Sequence, residues 1–211
     1  MHSKYYKYLF YSILCFHFSE MVGGTQDDAL DNITEVFHRF ELVPGVVSAP
    51  PNEFVNISYE KMNCTIETTD NAFRDEVETA PKVWWNCNES LYYTLSVLDM
   101  NNNRETIKPR FHQNVTWWRE RQWHIWLVVN IPGCDINRGE TKFEYALGLE
   151  QNTLDMHILI FLVYQQPDVT PMKFNVAHRD IYDDRSGFEI EKFANQSNFG
   201  PPMAGNFLYF A

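Results

Sequence analysis

Asp99, His124 and His157 are the side chains of this 211-residue chain whose types and placement could do chemistry together, each standing at one end of an apolar run. An Asp beside a His orients the imidazole and favours its charged form, which suits the reception of an anionic or polar head group; the same pair can equally tie loops over the end of a sheet. Nucleophilic chemistry is poorly supplied. Ser90, Ser96 and Ser186 lie in no Gly-x-Ser-x-Gly elbow, and Cys134 follows Pro132-Gly133 with no sign of activation. Gly133, Gly139, Gly148 and Gly187 read as isolated turns, and no Cys/His spacing fits a zinc site. No catalytic residue, metal or cofactor is expected, and the chain does not read as an enzyme.

The elements that must position these groups follow from hydrophobic periodicity. His124-Ile-Trp-Leu-Val-Val-Asn-Ile-Pro-Gly133 and His157-Ile-Leu-Ile-Phe-Leu-Val-Tyr-Gln-Gln166 are too short to span a membrane and too apolar for edge strands, so they read as buried central strands of one sheet. Alternation places His124 with Trp126 and Val128 on one face, and Ile125 with Leu127 and Val129 on the other. Leu91–Asp99 reads as a third long strand that Asn101-Asn102-Asn103 ends. Val55–Tyr59, Pro81–Trp85 and Asn206–Phe210 read as shorter strands. Leu30, Ile33, Val36, Phe37 and Phe40 form one helical stripe, and a second short helix is expected near Phe188–Ala194. Residues 65–79 read as an acidic loop with one helical turn near Ala72–Glu76, and residues 104–120 as an exposed loop. Trp117-Trp118 in that loop either cap a pocket, contact a partner or fold back over the sheet edge.

Composition sets the compartment. A net charge of −11 opposes nonspecific binding to nucleic acid or anionic bilayers, and 45% hydrophobic residues suffice for one core. Residues 1–24, with Lys4 and Lys7 before Leu9–Phe18, have the pattern of a cleaved signal peptide rather than a stable membrane anchor. Acceptor motifs for N-glycosylation stand at Asn32, Asn56, Asn63, Asn88, Asn114 and Asn195. A secreted, monomeric chain is expected. Pairing Cys64 with Cys87 would close a loop of about two dozen residues, worth roughly 3 kcal/mol, and leave Cys134 buried, paired between chains, or the true partner of one of the others.

The strings Leu91–Asp99, Trp123–Glu140, Phe161-Leu-Val-Tyr-Gln-Gln166 and Pro202-Met-Ala-Gly-Asn206, together with His157, resemble the phosphatidylethanolamine-binding protein family, and the likeness extends from about Phe40 to Ala211. It implies a mainly β fold, a large central β-sheet packed on a smaller sheet with few short peripheral helices. Residues 25–39 would be a helical extension and 40–211 the domain. It also implies a small pocket for phospholipid head groups or other anions, whose positions here would be Asp99, Asn101, Ile125, His157 and Leu159. The family's Asp-Pro-Asp-x-Pro loop corresponds to Asp99-Met100-Asn101-Asn102-Asn103, its paired histidines to His124-Ile125, and its His-Arg-Tyr rim to His157-Ile158-Leu159. Because a buried phosphate needs several donors, the resemblance implies a degraded anion pocket better suited to an uncharged or weakly polar small ligand. The sequence therefore reads as a secreted, non-catalytic binding or modulator protein. The alternative is an extracellular protease or kinase-pathway inhibitor or signalling partner that works through surface loops.

Overall fold

A computed structural model describes residues 26–62, 71–72, 74–102, 122–147, 156–180, 185 and 188–210. The expected signal peptide, Cys64, Asn63, Asn114, Trp117 and Trp118 lie outside them. Helix α1 spans Gln26–Arg39; from Ile33 onward its buried residues Ile33, Val36 and Phe37 face the main body of the protein. After a single turn at Leu42–Gly45 come, among the described residues, nine strands: β1 (Glu53–Phe54), β2 (Asn56–Ser58), β3 (Asn71–Ala72), β4 (Lys82–Trp84), β5 (Tyr92–Asn102), β6 (Gln122–Pro132), β7 (Glu140–Phe143), β8 (Met156–Gln165) and β9 (Ala204–Phe210). Short 3-10 turns occupy Arg74–Glu76 and Ile136–Arg138, and helix α2 (Ile190–Gln196) precedes β9.

The architecture is mainly β, with two sheets and few short helices. Seven strands form the large sheet in the order β1-β9-β8-β5-β6-β7, with β3 also pairing with β9; β2 and β4 make a two-stranded antiparallel sheet. The histidine-headed strands β6 and β8 both belong to the large sheet. They flank β5, which pairs antiparallel with each, so both histidines stand at the same end of it.

Each face of the large sheet carries its own core. One is covered by residues 33–39 of α1, by α2 and by the irregular stretch near Met172–Val176, and packs Leu98, Met100, Leu127, Val129, Ile158, Ile160, Leu162 and Phe207. The other packs Val97, Ile125, Val128, Leu159, Phe161, Leu208 and Phe210 against Ile57 and Val83 of the small sheet. Gly205 permits close docking on the first face: an added Cβ would lie 2.8 Å from Pro51 and 3.0 Å from Phe37, whose ring meets Phe207 edge-on at 5.9 Å.

Three sequence expectations are corrected. Strict alternation along β6 fails, because Leu98 pairs with His124 and Val97 with Trp126, making Ile125 an extra residue. This bulge puts Ile125 and Trp126 on one face in succession, and leaves His124 with Leu127 and Val129 on the other. A second irregularity centres on Asn130, which adopts a left-handed φ of 55°. There its side chain accepts from Met172 N–H (2.8 Å) and from Gln166 Nε2 (2.9 Å).

Strand β5 also runs past the expected stop at Asn101, because Met100, Asn101 and Asn102 pair with Ile158, His157 and Met156. The partner of Cys87 is Cys134, not Cys64. The register brings Tyr92 opposite Pro132, and Gly133 N–H donates to Leu91 O, so the turn after β6 lies beside the chain entering β5. The sequence separation is 47 residues, which raises the loop-entropy stabilisation to about 4 kcal/mol.

Candidate functional site

Antiparallel pairing places Asp99 opposite both Leu159 and Trp123, and Asn101 opposite His157. Asp99 and His157 are therefore diagonal neighbours on one face, a separation that a carboxylate and an imidazole can bridge. They do: His157 Nδ1–H donates to the Asp99 carboxylate at 2.9 Å from each oxygen. Both residues are buried, each 6% exposed, and Phe210 stacks on the imidazole with ring centroids 4.8 Å apart. A neutral imidazole held this way has its tautomer fixed, with the proton on Nδ1 facing the carboxylate; a charged one donates from Nδ1 in the same place.

The wall around the pair is apolar. Leu159 is fully buried beside Asp99 in the register, and Ile125, also fully buried, lies in the same core. The Ile125 carbonyl accepts from Ala146 N–H (3.0 Å) and from Arg185 Nη1 (2.9 Å), so the bulge that aims its side chain is held from outside the strand. Arg185, 1% exposed, also donates to the carbonyls of Glu144 and Asp180. Asn101 contributes its backbone to β5; its side chain lies outside the described residues.

His124 serves the opposite face. Fully buried, it lies edge-on to Phe188 at 4.5 Å and to Phe143 at 5.5 Å, with its Nε2 3.1 Å from Ser96 Oγ. Burial, with the nearby Arg185 charge second, lowers its pKa from 6.5 to about 3, so at neutral pH it is an uncharged core residue.

Sequence reasoning missed Tyr145 as a neighbour of the site. Its hydroxyl donates to Val77 O at 2.6 Å and receives the Tyr59 hydroxyl at 3.1 Å, joining β7's exit to the small-sheet side. Burial raises its pKa; the Tyr59 hydrogen bond opposes that rise, and the Asp99 charge adds to it. The residue follows a four-residue strand and carries no motif, so only the tertiary register reveals it. Among the described residues no three His, Cys, Asp or Glu side chains gather to hold a metal, and no helix is long and apolar enough to cross a membrane.

The acid–base pair and its apolar neighbours lie at the end of the large sheet where β5 finishes and β6 and β8 begin, with the half-buried Tyr145 near enough to feel the Asp99 charge and in contact with the buried Tyr59. Chemically, a carboxylate with both oxygens on one imidazole nitrogen can fix that ring's orientation. Among the described residues these contacts of the pair form no ring of donors of the kind a buried phosphate requires.

No family model matches the chain. It is 29% identical over 199 residues to the putative odorant-binding protein A5 of Drosophila melanogaster, covering 94% of this chain and 86% of that protein. It is 30% identical over 168 residues to the 26 kDa secreted antigen of Toxocara canis, covering 79% of this chain and 59% of the antigen. This chain thus spans about three-fifths of the antigen's length. Among solved structures it is similar to the carboxypeptidase Y inhibitor in complex with its cognate proteinase, at 14% identity and a TM-score of 0.63, over 86% of this chain and 95% of the inhibitor. That last likeness is one of fold.

Proposed function

We propose that the chain is a secreted, non-catalytic binding protein of the phosphatidylethanolamine-binding type that acts on an extracellular protein partner, as an inhibitor or signalling partner. The observation that carries this reading is the Asp99–His157 pair: both carboxylate oxygens meet one imidazole nitrogen, and Ile125, Leu159 and Phe210 supply apolar neighbours. Such an end of a sheet offers shape and anchoring for loops rather than a reactive group or an anion cradle. Support for secretion comes from the leader-like residues 1–24, the acceptor motifs, the Cys87–Cys134 disulfide and the secreted Toxocara relative. Support for a protein partner comes by analogy of fold with an inhibitor seen on its proteinase.

The segments assigned to the partner are the sequence around Trp117 and Trp118 and the acidic stretch over residues 66–79. Cross-linking in extracellular fluid, followed by reconstitution of the identified pair and a protease-inhibition assay, tests this. A one-to-one complex weakened at least tenfold by the double change Trp117→Ala, Trp118→Ala is expected. An unchanged affinity in that variant would refute the loop assignment, and failure to reconstitute any pair would refute the reading.

A second reading is favoured by the name of the Drosophila relative: a small, weakly polar ligand resting against Ile125 and Leu159. Binding of neutral odorant-sized molecules that is lost in Ile125→Asp would support it, and retention in that variant would dismiss it.

A further inference from the structure

The outer face of the small sheet carries an exposed aromatic ring directly across from an acceptor asparagine. In the β2–β4 pair, Ile57 and Val83 oppose each other and are buried, so the alternate positions Asn56, Ser58, Lys82 and Trp84 point outward. The register sets Asn56 opposite Trp84. Side chains so paired have Cβ atoms about 4.5–5.5 Å apart on the same face. Trp84 is 41% exposed, and among the described residues the other large exposed hydrophobic is Val169. Asn56-Ile57-Ser58 is a complete acceptor motif, with Asn56 and Ser58 both half-exposed on the outward side.

The geometry points to Asn56 as an occupied N-glycosylation site whose first sugar ring packs on the Trp84 indole. An oligosaccharide passes from a lipid-linked oligosaccharyl pyrophosphate donor to Asn56 Nδ2. The bond from the anomeric carbon to the pyrophosphate oxygen breaks, the carbon–nitrogen bond forms, Nδ2 gives up one proton, and the lipid pyrophosphate leaves. Once attached, the sugar presents its apolar C–H face to the electron-rich indole, as aromatic rings accept positively polarised edges. The occupant of this exposed aromatic surface is then the chain's own glycan. The outer face of the small sheet is closed to protein partners, which confines docking to other surfaces. Like the proposed function, this inference rests on entry of the chain into the secretory lumen.

The test uses the full chain secreted from eukaryotic cells behind a heterologous leader, in parallel with the chain carrying its own residues 1–24. Glycopeptide mass spectrometry measures occupancy at Asn56, and oxidative footprinting measures the reactivity of Trp84. The expected result is majority occupancy, with Trp84 oxidised at least threefold faster in Asn56→Gln than in the parent, and Trp123 and Trp126 unchanged. Thermal unfolding adds a cycle: Asn56→Gln lowers the midpoint in the parent background but not in Trp84→Ser. An unoccupied Asn56, or equal Trp84 oxidation with and without the glycan, overturns the inference. A chain that remains intracellular behind its own residues 1–24, while the heterologous-leader chain shows the protection, overturns the secretory reading alone and leaves the Asn56–Trp84 stacking standing.

Discussion

Lowering the pH from 7 to 4.5 should remove stability through His124 in an amount that follows from its surroundings. The folded chain keeps this imidazole neutral down to a pKa of about 3, through burial among Phe143 and Phe188 and the nearby Arg185 charge. The unfolded chain titrates it near its ordinary 6.5. Between those values the unfolded state holds the extra proton, so stability is complete above about pH 6.5 and is lost as the pH falls toward 3. At about 1.4 kcal/mol per pH unit over about two units, the loss at pH 4.5 is on the order of 3 kcal/mol. With a urea m-value of about 2 kcal/mol/M, that moves the midpoint by on the order of 1 M. Other groups titrate in this range too, so the informative quantity is the stability difference between the parent and His124→Gln, measured by urea unfolding from pH 7 to 4.5. His124→Gln costs stability at neutral pH through lost ring contacts, and that cost should shrink by on the order of 3 kcal/mol at the acid end. A difference that stays constant over the range would refute the placement of His124 as a neutral core residue, and with it the division of the two histidines between opposite faces.

Further outcomes follow from the same contacts. Non-reducing peptide mapping should recover Cys87 linked to Cys134 and Cys64 in a separate peptide, and Cys87→Ser with Cys134→Ser should cost about 4 kcal/mol in denaturant unfolding; a Cys64–Cys87 peptide would contradict the fold at the start of β5. Gly205→Ala drives a Cβ against Pro51 and Phe37 and should destabilise by about 1–3 kcal/mol; a neutral effect in thermal unfolding would show that α1 docks less closely than described. Asp99→Asn removes the charge and one of the acceptor oxygens facing His157 Nδ1, so it should cost about 1–3 kcal/mol and shift the His157 ring signals in NMR, whereas unchanged signals would deny the pair.

Much of the large sheet was legible in the sequence, because β6 and β8 carry near-continuous apolar runs, and β5 sets Tyr93, Leu95 and Val97 in alternation with Thr94 and Ser96; runs of that length with both faces apolar belong at the centre of a sheet. The same property hid the bulge. Ile125 and Trp126 are both apolar, so alternation along β6 could be drawn without noticing that they occupy one face. Ile125 shares a core with Leu159 and Val128, whereas strict alternation groups it with Leu127 and Val129. The Asp99–His157 pair was legible as two polar residues at strand ends, although its closure by Phe210 depends on β9 lying beside β8. Cysteine connectivity and the role of Tyr145 were not legible. Each is set by which chain segments the register brings side by side, and neither leaves a local pattern.

Calorimetric titration of the secreted protein with phosphoethanolamine bears most directly on the proposed function, because it asks whether the Asp99–His157 end still receives an anion. With both carboxylate oxygens on the imidazole and Ile125 and Leu159 in the adjoining positions, no submicromolar binding is expected in the parent, in His157→Ala or in Asp99→Asn. Submicromolar binding by the parent that disappears in His157→Ala would contradict it and restore this end of the sheet as an anion site.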